Sequence, residues 1–158
     1  MPQVILTPPQ TMIGAHVGIM RQVQNIKMGN ADKFGAYPKD GWLLHIEGCL
    51  SEMAVAKYLG LYWDGSLGNW KAADVGKLEV RSTTYPKGRL VLHNPPKDSP
   101  DSIFISIRGV NGVYNIVGWM RGVDGQHKDY WEDPTGKGRH AYFVPDDKLH
   151  PMEELRHD

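Results

Sequence analysis

Apolar residues recur at helical spacing in the first 60 positions of the chain. In the first stretch they lie three or four positions apart, at Ile13, Val17, Met20 and Val23. This spacing predicts a helix over residues 11–29, with Thr11 as its N-cap and Gly29 at its end. A second apolar stripe predicts a helix over residues 42–59, which Gly60 would stop.

Beyond Gly60 the pattern changes from helical spacing to alternation. Residues 78–84 alternate between apolar and polar side chains and are rich in β-branched residues, which predicts a strand. Residues 86–88 contain proline and glycine and indicate a turn. We therefore expect residues 89–93 to return beside the first strand as a hairpin.

The C-terminal half predicts two longer strands and several short segments. The strands cover residues 103–110 and 113–120, and Asn111-Gly112 between them is a strong tight-turn signal. The remaining segments are a polar loop (122–140), a strand (141–144) and a short helix (152–156).

Helices followed by strands are typical of the α+β class. We expect a mixed or largely antiparallel central sheet flanked by the N-terminal helices. The 158 residues suit a single domain, 1–158. Its parts are an N-terminal arm and helix (1–40), a core (42–122), a loop (123–140), and a C-terminal strand with a short helix (141–158).

Charge and cysteine content limit the possible functions. Eighteen basic and eighteen acidic residues cancel, so the chain lacks the basic excess that drives strong non-specific nucleic-acid binding. The lone thiol, Cys49, excludes an internal disulfide or a cysteine-built zinc site, and we expect it to be a buried small hydrophobe. The start is unlike a signal peptide and no apolar run approaches the ~18 residues of a membrane span, so we expect a cytoplasmic protein.

Acidic residues accumulate around the second helix and the first predicted strand. Glu52 lies in the helix, Asp74 precedes the strand, and Glu79 lies within it. Arg81 follows Glu79 by two positions, so both side chains point to the same face of the strand. Carboxylate oxygens are suitable ligands for Mg²⁺ and phosphodiester hydrolysis commonly uses such a set, which makes these four residues the predicted catalytic site.

Two stretches resemble the PD-(D/E)XK nuclease superfamily. The residues Asp74-Val75-Gly76-Lys77-Leu78-Glu79-Val80-Arg81 are similar to its Asp…Glu-x-Lys strand motif. Residues 48–57, with Glu52, resemble its first core helix. The core over 42–122 is similar to that of small phage-encoded members of the superfamily.

The resemblance implies a restriction-endonuclease-like core and a metal-dependent endonuclease that hydrolyses DNA. Glu52, Asp74 and Glu79 would hold Mg²⁺ or Mn²⁺, and Arg81 would position the phosphate. Many members of the superfamily act as dimers, so the resemblance also implies a possible homodimer. The bacterial cytoplasm would be the location if the protein is phage-encoded.

Two departures from the family pattern affect this interpretation. Arg81 stands where the family has lysine, and a guanidinium stays protonated at any working pH, so Arg81 cannot act as a base. The family also places a helix after the motif strand, whereas residues 94–102 contain three prolines and predict no regular element.

Each site residue also has a structural interpretation. Glu52 would be a solvated helix carboxylate, Asp74 a turn residue, and Glu79 with Arg81 a surface ion pair on a strand. Weaker substrate-binding predictions, each with an equally ordinary structural alternative, fall on His45, Thr83, Thr84 and Lys128.

Two further functions stay open beside the nuclease. The chain would be a catalytically inactive nuclease-fold protein that binds nucleic acid, or one that inhibits a host protein through its surface. The zero net charge favours these alternatives, whereas three clustered carboxylates favour the enzyme, because unneutralised acids repel phosphate.

Overall fold

The computed structural model describes residues 1–29, 41–67 and 73–156. The helices longer than one turn are α1 (Pro8–Lys27) and α2 (Gly41–Leu59), and α3 (Gly122–Gly125) is a single turn. The strands, in chain order, are β1 (Gln3–Ile5), β2 (Leu78–Thr83), β3 (Leu90–Leu92), β4 (Ile103–Val110), β5 (Val113–Arg121), β6 (Trp131–Glu132) and β7 (Ala141–Val144). This is an α+β fold.

Helix α1 begins earlier than the apolar spacing predicted. Thr7, not Thr11, is its N-cap, and the Thr7 hydroxyl accepts a bond from the Gln10 backbone N–H. The Gln10 side chain accepts the Thr7 N–H in return, a capping box that fixes this start. The predicted N-cap at Thr11 is therefore wrong, since two prolines occupy the first helical turn, where no N–H is needed.

Helix α2 lies between α1 and the sheet and is buried over much of its length. At Gly18 of α1 the backbones of the two helices meet, because a Cβ there would lie only 2.5 Å from the Cα of Ile46. The other face of α2 packs its small and apolar residues against the sheet. Cys49 is fully buried among them, as expected of a small hydrophobe. Gly60 ends α2 with a positive φ of 67°.

The main sheet has four strands in the order β1-β5-β4-β2. The predicted hairpin at Asn111-Gly112 is confirmed, since β4 and β5 pair antiparallel and both turn residues have positive φ. The expected N-terminal arm contributes β1, which pairs with β5. Strand β2 pairs in parallel with β4 alone, so it forms an edge of this sheet.

The predicted hairpin of residues 78–84 and 89–93 is wrong. Strand β3 pairs antiparallel with β7 in a second sheet of order β3-β7-β6. Its leucines Leu90 and Leu92 are buried against Phe104 of the main sheet, so burial rather than the preceding turn selects their place. β3 and the proline-rich loop together connect the parallel strands β2 and β4, where a helix is usual.

The predicted loop over 122–140 also contains regular structure. It holds α3, a 3₁₀ turn at Lys128–Tyr130 and the short strand β6. The expected terminal helix is a 3₁₀ turn at Met152–Glu154.

Two apolar clusters hold these layers together. The larger lies between the helices and the main sheet, and the smaller lies between the two sheets. Strand β2 divides them, with Leu78 and Val80 facing the larger cluster while Glu79 and Arg81 point away from it. Among residues 1–29, 41–67 and 73–156, no helix is long and apolar enough to cross a membrane.

Candidate functional site

Asp74 reaches the first turn of β2 through a tight reversal of the chain. Val75 and Leu78 exchange backbone hydrogen bonds of 2.8 and 3.1 Å, and Gly76 between them has a φ of +60° that favours glycine. Asp74 Oδ2 then accepts the N–H of Val80 at 2.7 Å. The carboxylate is thereby placed beside the residues of the strand that carry charge.

Arg81 gathers the carboxylates at this edge. Its Nη1 lies 3.6 Å from Glu79 Oε2 and 3.9 Å from Asp74 Oδ2. Its Nη2 donates to Asp98 Oδ1 at 2.8 Å. The guanidinium carbon lies 5.0 Å from the ring centroid of Phe104, so the cation also makes a cation–π interaction with this ring. We call Asp74, Glu79, Arg81 and Asp98 the edge cluster.

Asp98 is the member of the edge cluster that the sequence did not reveal. Its side chain is 1% exposed, and its second oxygen accepts the His93 N–H at 2.7 Å. Gln126 donates to the carbonyls of both His93 and Asp98, which fixes the loop between β3 and β4 against α3. An acid inside a proline-rich stretch gives no local signal of this role, because the role depends on β2 lying beside β4.

Glu52 belongs to a more closed arrangement, which interacts electrostatically with Asp74. Arg21 of α1 donates to its two oxygens at 2.6 and 2.9 Å, and the indole N–H of Trp63 donates at 3.0 Å. The Glu52 side chain is 7% exposed. We call Arg21, Glu52 and Trp63 the helix cluster. The partnership with Arg21 was also absent from the sequence prediction, since it joins two helices.

The carboxylates of both clusters have shifted pKa values. Burial raises the pKa of Glu52 and of Asp74, against the effect of their hydrogen-bond donors. Burial and the neighbouring charge of Asp74 raise the pKa of Glu79. Burial acts in the same sense on Asp98, but Arg81 and the His93 N–H outweigh it and lower its pKa. The anionic forms of Asp74 and Glu79 are therefore less stable than in water, because their protein donors do not fully offset the cost of burial.

Lys97 and His93 add titratable groups near Arg81. Partial desolvation, together with the positive charge of Arg81, lowers the pKa of Lys97 to about 8 even though the residue as a whole is exposed. Burial and the charge of Lys97 lower the pKa of His93, so its ring is neutral at pH 7. Lys97 is thus a cation that releases its proton at a pH of about 8.

The donor atoms decide how well a divalent cation fits. In the described part of the chain, no group of three or more histidine, cysteine, aspartate or glutamate residues is arranged to hold a metal. Glu52 is the poorer candidate, because its side chain is buried and its charge already pairs with that of Arg21. Asp74 and Glu79 are the better candidates, because each has an oxygen near Arg81 Nη1 and Mg²⁺ is commonly held by one or two carboxylates with water. A cation bound between them would take the place of that nitrogen.

The weaker predictions are distributed over the molecule. His45 Nε2 accepts a bond from Asn25 of α1 at 3.1 Å, so its ring, like Glu52, faces α1. Lys128 is exposed in the 3₁₀ turn beside β7. Thr83 and Thr84 follow Arg81 and line a cavity beneath α2.

A cleft of about 290 Å³ opens beside Arg81 between the two sheets. Arg89 lines it as well, with its guanidinium 5.1 Å from the ring centroid of Phe143 and paired with Glu132 at 2.8 Å. Two planar guanidinium groups at one cleft suit an anion with several oxygens, such as a phosphate.

Comparison of the chain with protein-family models, curated proteins and solved structures yields no match. The PD-(D/E)XK relationship therefore stays a prediction that depends on the residues of the motif alone.

Proposed function

We propose that the protein is a metal-dependent endonuclease that hydrolyses DNA phosphodiester bonds, with a PD-(D/E)XK-like core made of α2, β2, β4 and β5. The observation that carries the proposal is the convergence of Asp74 and Glu79 on one nitrogen of Arg81. Two carboxylates with raised pKa values, placed beside a cleft with two arginines, combine a cation site with an anion site.

Asp74 and Glu79 would hold Mg²⁺ or Mn²⁺, which when bound polarises a phosphoryl group and acidifies water. Arg81 is held by Asp98 and leaves Nη1 toward the other two carboxylates. Its guanidinium would attract the scissile phosphate from the Nη1 side. Glu52 would join the site only after release from Arg21, so its predicted ligand role is the weakest of the three.

Lys97 would supply the proton transfer that an arginine cannot. A lysine with a pKa of about 8 is mainly protonated at pH 7 and exchanges its proton readily at slightly higher pH. Its charge interacts with those of Asp98 and Arg81. We therefore assign to Lys97 the role that the family lysine would have had at position 81.

A cleavage assay with purified protein tests the proposal. Supercoiled plasmid, branched DNA and single-stranded DNA would be incubated with Mg²⁺, Mn²⁺ or EDTA. We expect metal-dependent cutting that falls at least about 100-fold in Glu79→Gln and in Asp74→Asn, on the scale of losing a major stabiliser of transition-state charge. Glu153→Gln is the matched control, since Glu153 is an exposed carboxylate in the terminal 3₁₀ turn.

Two outcomes would overturn the nuclease proposal. One is a folded wild-type protein that cuts none of these substrates with either metal. The other is cutting that persists equally in Glu79→Gln, which would indicate a contaminating nuclease.

A second function is favoured by the helix cluster. Arg21 pairs with Glu52 through two hydrogen bonds, Trp63 donates a third, and arginine replaces lysine at position 81. A chain with this pairing suits a catalytically inactive nuclease-fold protein that binds nucleic acid or inhibits a host protein. DNA binding without cleavage, or recovery of a host protein that competes with DNA, would favour this alternative.

A further inference from the structure

A cavity of about 170 Å³ lies between the beginning of α2 and the ends of β2 and β4. It is separate from the edge cluster and lies on the helix-facing side of the main sheet. Its lining combines two leucines, a glutamate, a glycine and four hydroxyl side chains: Leu43, Leu44, Glu47, Ser51, Ser82, Thr83, Thr84 and Gly109.

Ser51 gives the clearest sign that this cavity binds a ligand. The residue is 1% exposed, and within the described part of the chain its hydroxyl has no hydrogen-bond partner. A buried hydroxyl without a partner is costly, and native proteins rarely keep one without a reason. A ligand atom in the cavity would satisfy it.

Glu47 provides a second polar group at the same place. Its carboxylate is buried and accepts the backbone N–H of Asn111 and the hydroxyl of Tyr114. Each carboxylate oxygen accepts more than one bond, so Glu47 retains capacity for a donor that enters the cavity. The hydroxyl of Ser51 donates as well as accepts, and together the two residues suit a ligand edge that carries both kinds of group.

The leucines and the size of the cavity further limit the kind of ligand that would fit. Leu43 and Leu44 form an apolar wall, and Gly109 also lines the cavity. The volume is below the roughly 300–1,000 Å³ of pockets for drug-sized molecules. A small flat ring with apolar faces and a polar edge, which is the form of a nucleobase, matches this space.

The position of the cavity connects it to the proposed phosphate site. Ser82 lines it and directly follows Arg81, whose side chain lies on the other face of β2. Because β2 is an edge strand, a nucleic-acid strand is able to pass around it from one face to the other.

The geometry points to a binding site for one unpaired nucleobase in this cavity, with Ser51 and Glu47 reading its polar edge and Leu43 and Leu44 packing on its face. The inference rests on the proposed function, because it takes a nucleic-acid strand at Arg81 as its starting point. Enzymes that act on nucleic acid read such extruded bases through hydrogen bonds and apolar contacts. The substrate class would accordingly be DNA with a single-stranded or locally unpaired segment.

Binding of short single-stranded oligonucleotides in EDTA tests the site without cleavage. A fluorescent oligonucleotide would be compared by anisotropy with versions that lack one base at each position in turn. We expect one position where loss of the base weakens binding by about 10-fold, within the range for a stacked base. Thr84→Phe would fill part of the cavity without altering the cleft beside Arg81 and would remove this dependence, and Ser51→Ala would reduce it about 5-fold.

Val123→Phe is the matched control, because it adds the same ring to an exposed position on α3. It should leave the base dependence unchanged. Free nucleosides should also shift the amide resonances of Ser51 and Leu44 in wild type and not in Thr84→Phe. Equal base dependence in wild type and Thr84→Phe would overturn the site, and so would the absence of both oligonucleotide binding and amide shifts.

Failure here is distinguishable from failure of the nuclease proposal. A protein that cuts DNA with metal but shows no position-specific base dependence lacks only the base site. A protein that binds the base in EDTA and never cuts retains the base site and loses the nuclease function.

Discussion

The helix cluster and the edge cluster are both built from arginine and carboxylates, but they differ in the number of carboxylates that each arginine faces. In the helix cluster, one arginine meets one carboxylate through two hydrogen bonds, and Trp63 completes the set. In the edge cluster, Arg81 faces three carboxylates and its side chain is 31% exposed. The first cluster is closed and balanced, and the second is open and keeps an excess of negative charge.

This difference distinguishes a structural ion pair from a cation site. A buried, balanced pair leaves no reason for another ion to enter and is sensitive to the loss of either partner. An open cluster with excess carboxylate gains from an added cation, since nearby like charges are unfavourable. The comparison predicts large stability effects at Arg21 and Glu52, and ligand-dependent effects at Asp74 and Glu79.

The largest expected effect is at Arg21. Arg21→Met would leave Glu52 buried without its charged partner and should lower the free energy of unfolding by about 4 kcal/mol. Urea denaturation would measure the loss. The double variant Arg21→Met with Glu52→Met should recover most of it, because apolar residues of similar size replace a buried pair at little cost. A loss below about 1 kcal/mol in the single variant would contradict the closed character of the helix cluster.

Asp98 should show the next largest effect. Asp98→Asn removes the charge that fixes Arg81 and should cost about 2 kcal/mol, the range for hydrogen bonds to charged groups. The folded pKa of Asp98 lies below its ordinary value of 3.8, so its stabilisation is present above pH 3.8 and is lost as the pH falls through the lowered pKa. Wild type should lose this contribution during acid titration followed by fluorescence, whereas Asp98→Asn should not.

Asp74 should affect the pH dependence of stability in the opposite direction to Asp98. Its folded pKa is raised, so protonation stabilises the fold and that stabilisation is lost as the pH rises through the raised pKa. Asp74→Asn should therefore remove a loss of stability that occurs in wild type as the pH rises. Asp98→Asn should instead remove a loss of stability that occurs in wild type as the pH falls. Identical pH profiles for the two variants would show that the edge cluster titrates as one unit.

Divalent cations should stabilise the edge cluster. Mg²⁺ at ten times its dissociation constant would add about 1.4 kcal/mol to the free energy of unfolding, which raises Tm by a few degrees. Thermal unfolding with and without Mg²⁺ measures the shift. Glu79→Gln should abolish the shift, whereas Glu52→Gln should retain it despite a lower starting Tm. Loss of the shift in Glu52→Gln alone would place the cation in the helix cluster instead.

The smallest expected effect is at Trp63. Trp63→Phe keeps an aromatic ring and loses the N–H bond to Glu52, so we expect a cost of about 1 kcal/mol in urea denaturation. Trp131→Phe is the control, since Trp131 is 40% exposed on the short strand β6. Equal costs for the two variants would show that Glu52 does not depend on the indole.

The local pattern of the sequence was sufficient to position most elements. Strands β2, β4, β5 and β7 lie within a residue or two of their predicted bounds, because alternation and β-branched residues are local properties. The turn at Asn111-Gly112 was confirmed for the same reason, since its dihedral angles require those residue types. The start of α1 was wrong because an apolar stripe does not mark a cap, whereas Thr7 and Gln10 do.

Among the candidate site residues, the sequence placed Glu79 and Arg81 on one face of β2, and a tight turn at Gly76 places Asp74 beside them. Spacing along a single strand determines such neighbours. Whether these residues bind a metal stays a prediction for the cleavage and thermal assays.

Only the tertiary structure decided which partners these residues have. Strand β3 joins the second sheet rather than pairing with β2, and this choice allows β2 to lie parallel to β4 with Asp98 under Arg81. Arg21 meets Glu52 because α1 and α2 pack closely at Gly18. The sequence by itself determined the local elements through short-range sterics and periodicity. The pairing of distant charges followed from burial of the apolar faces of those elements, which no local pattern records.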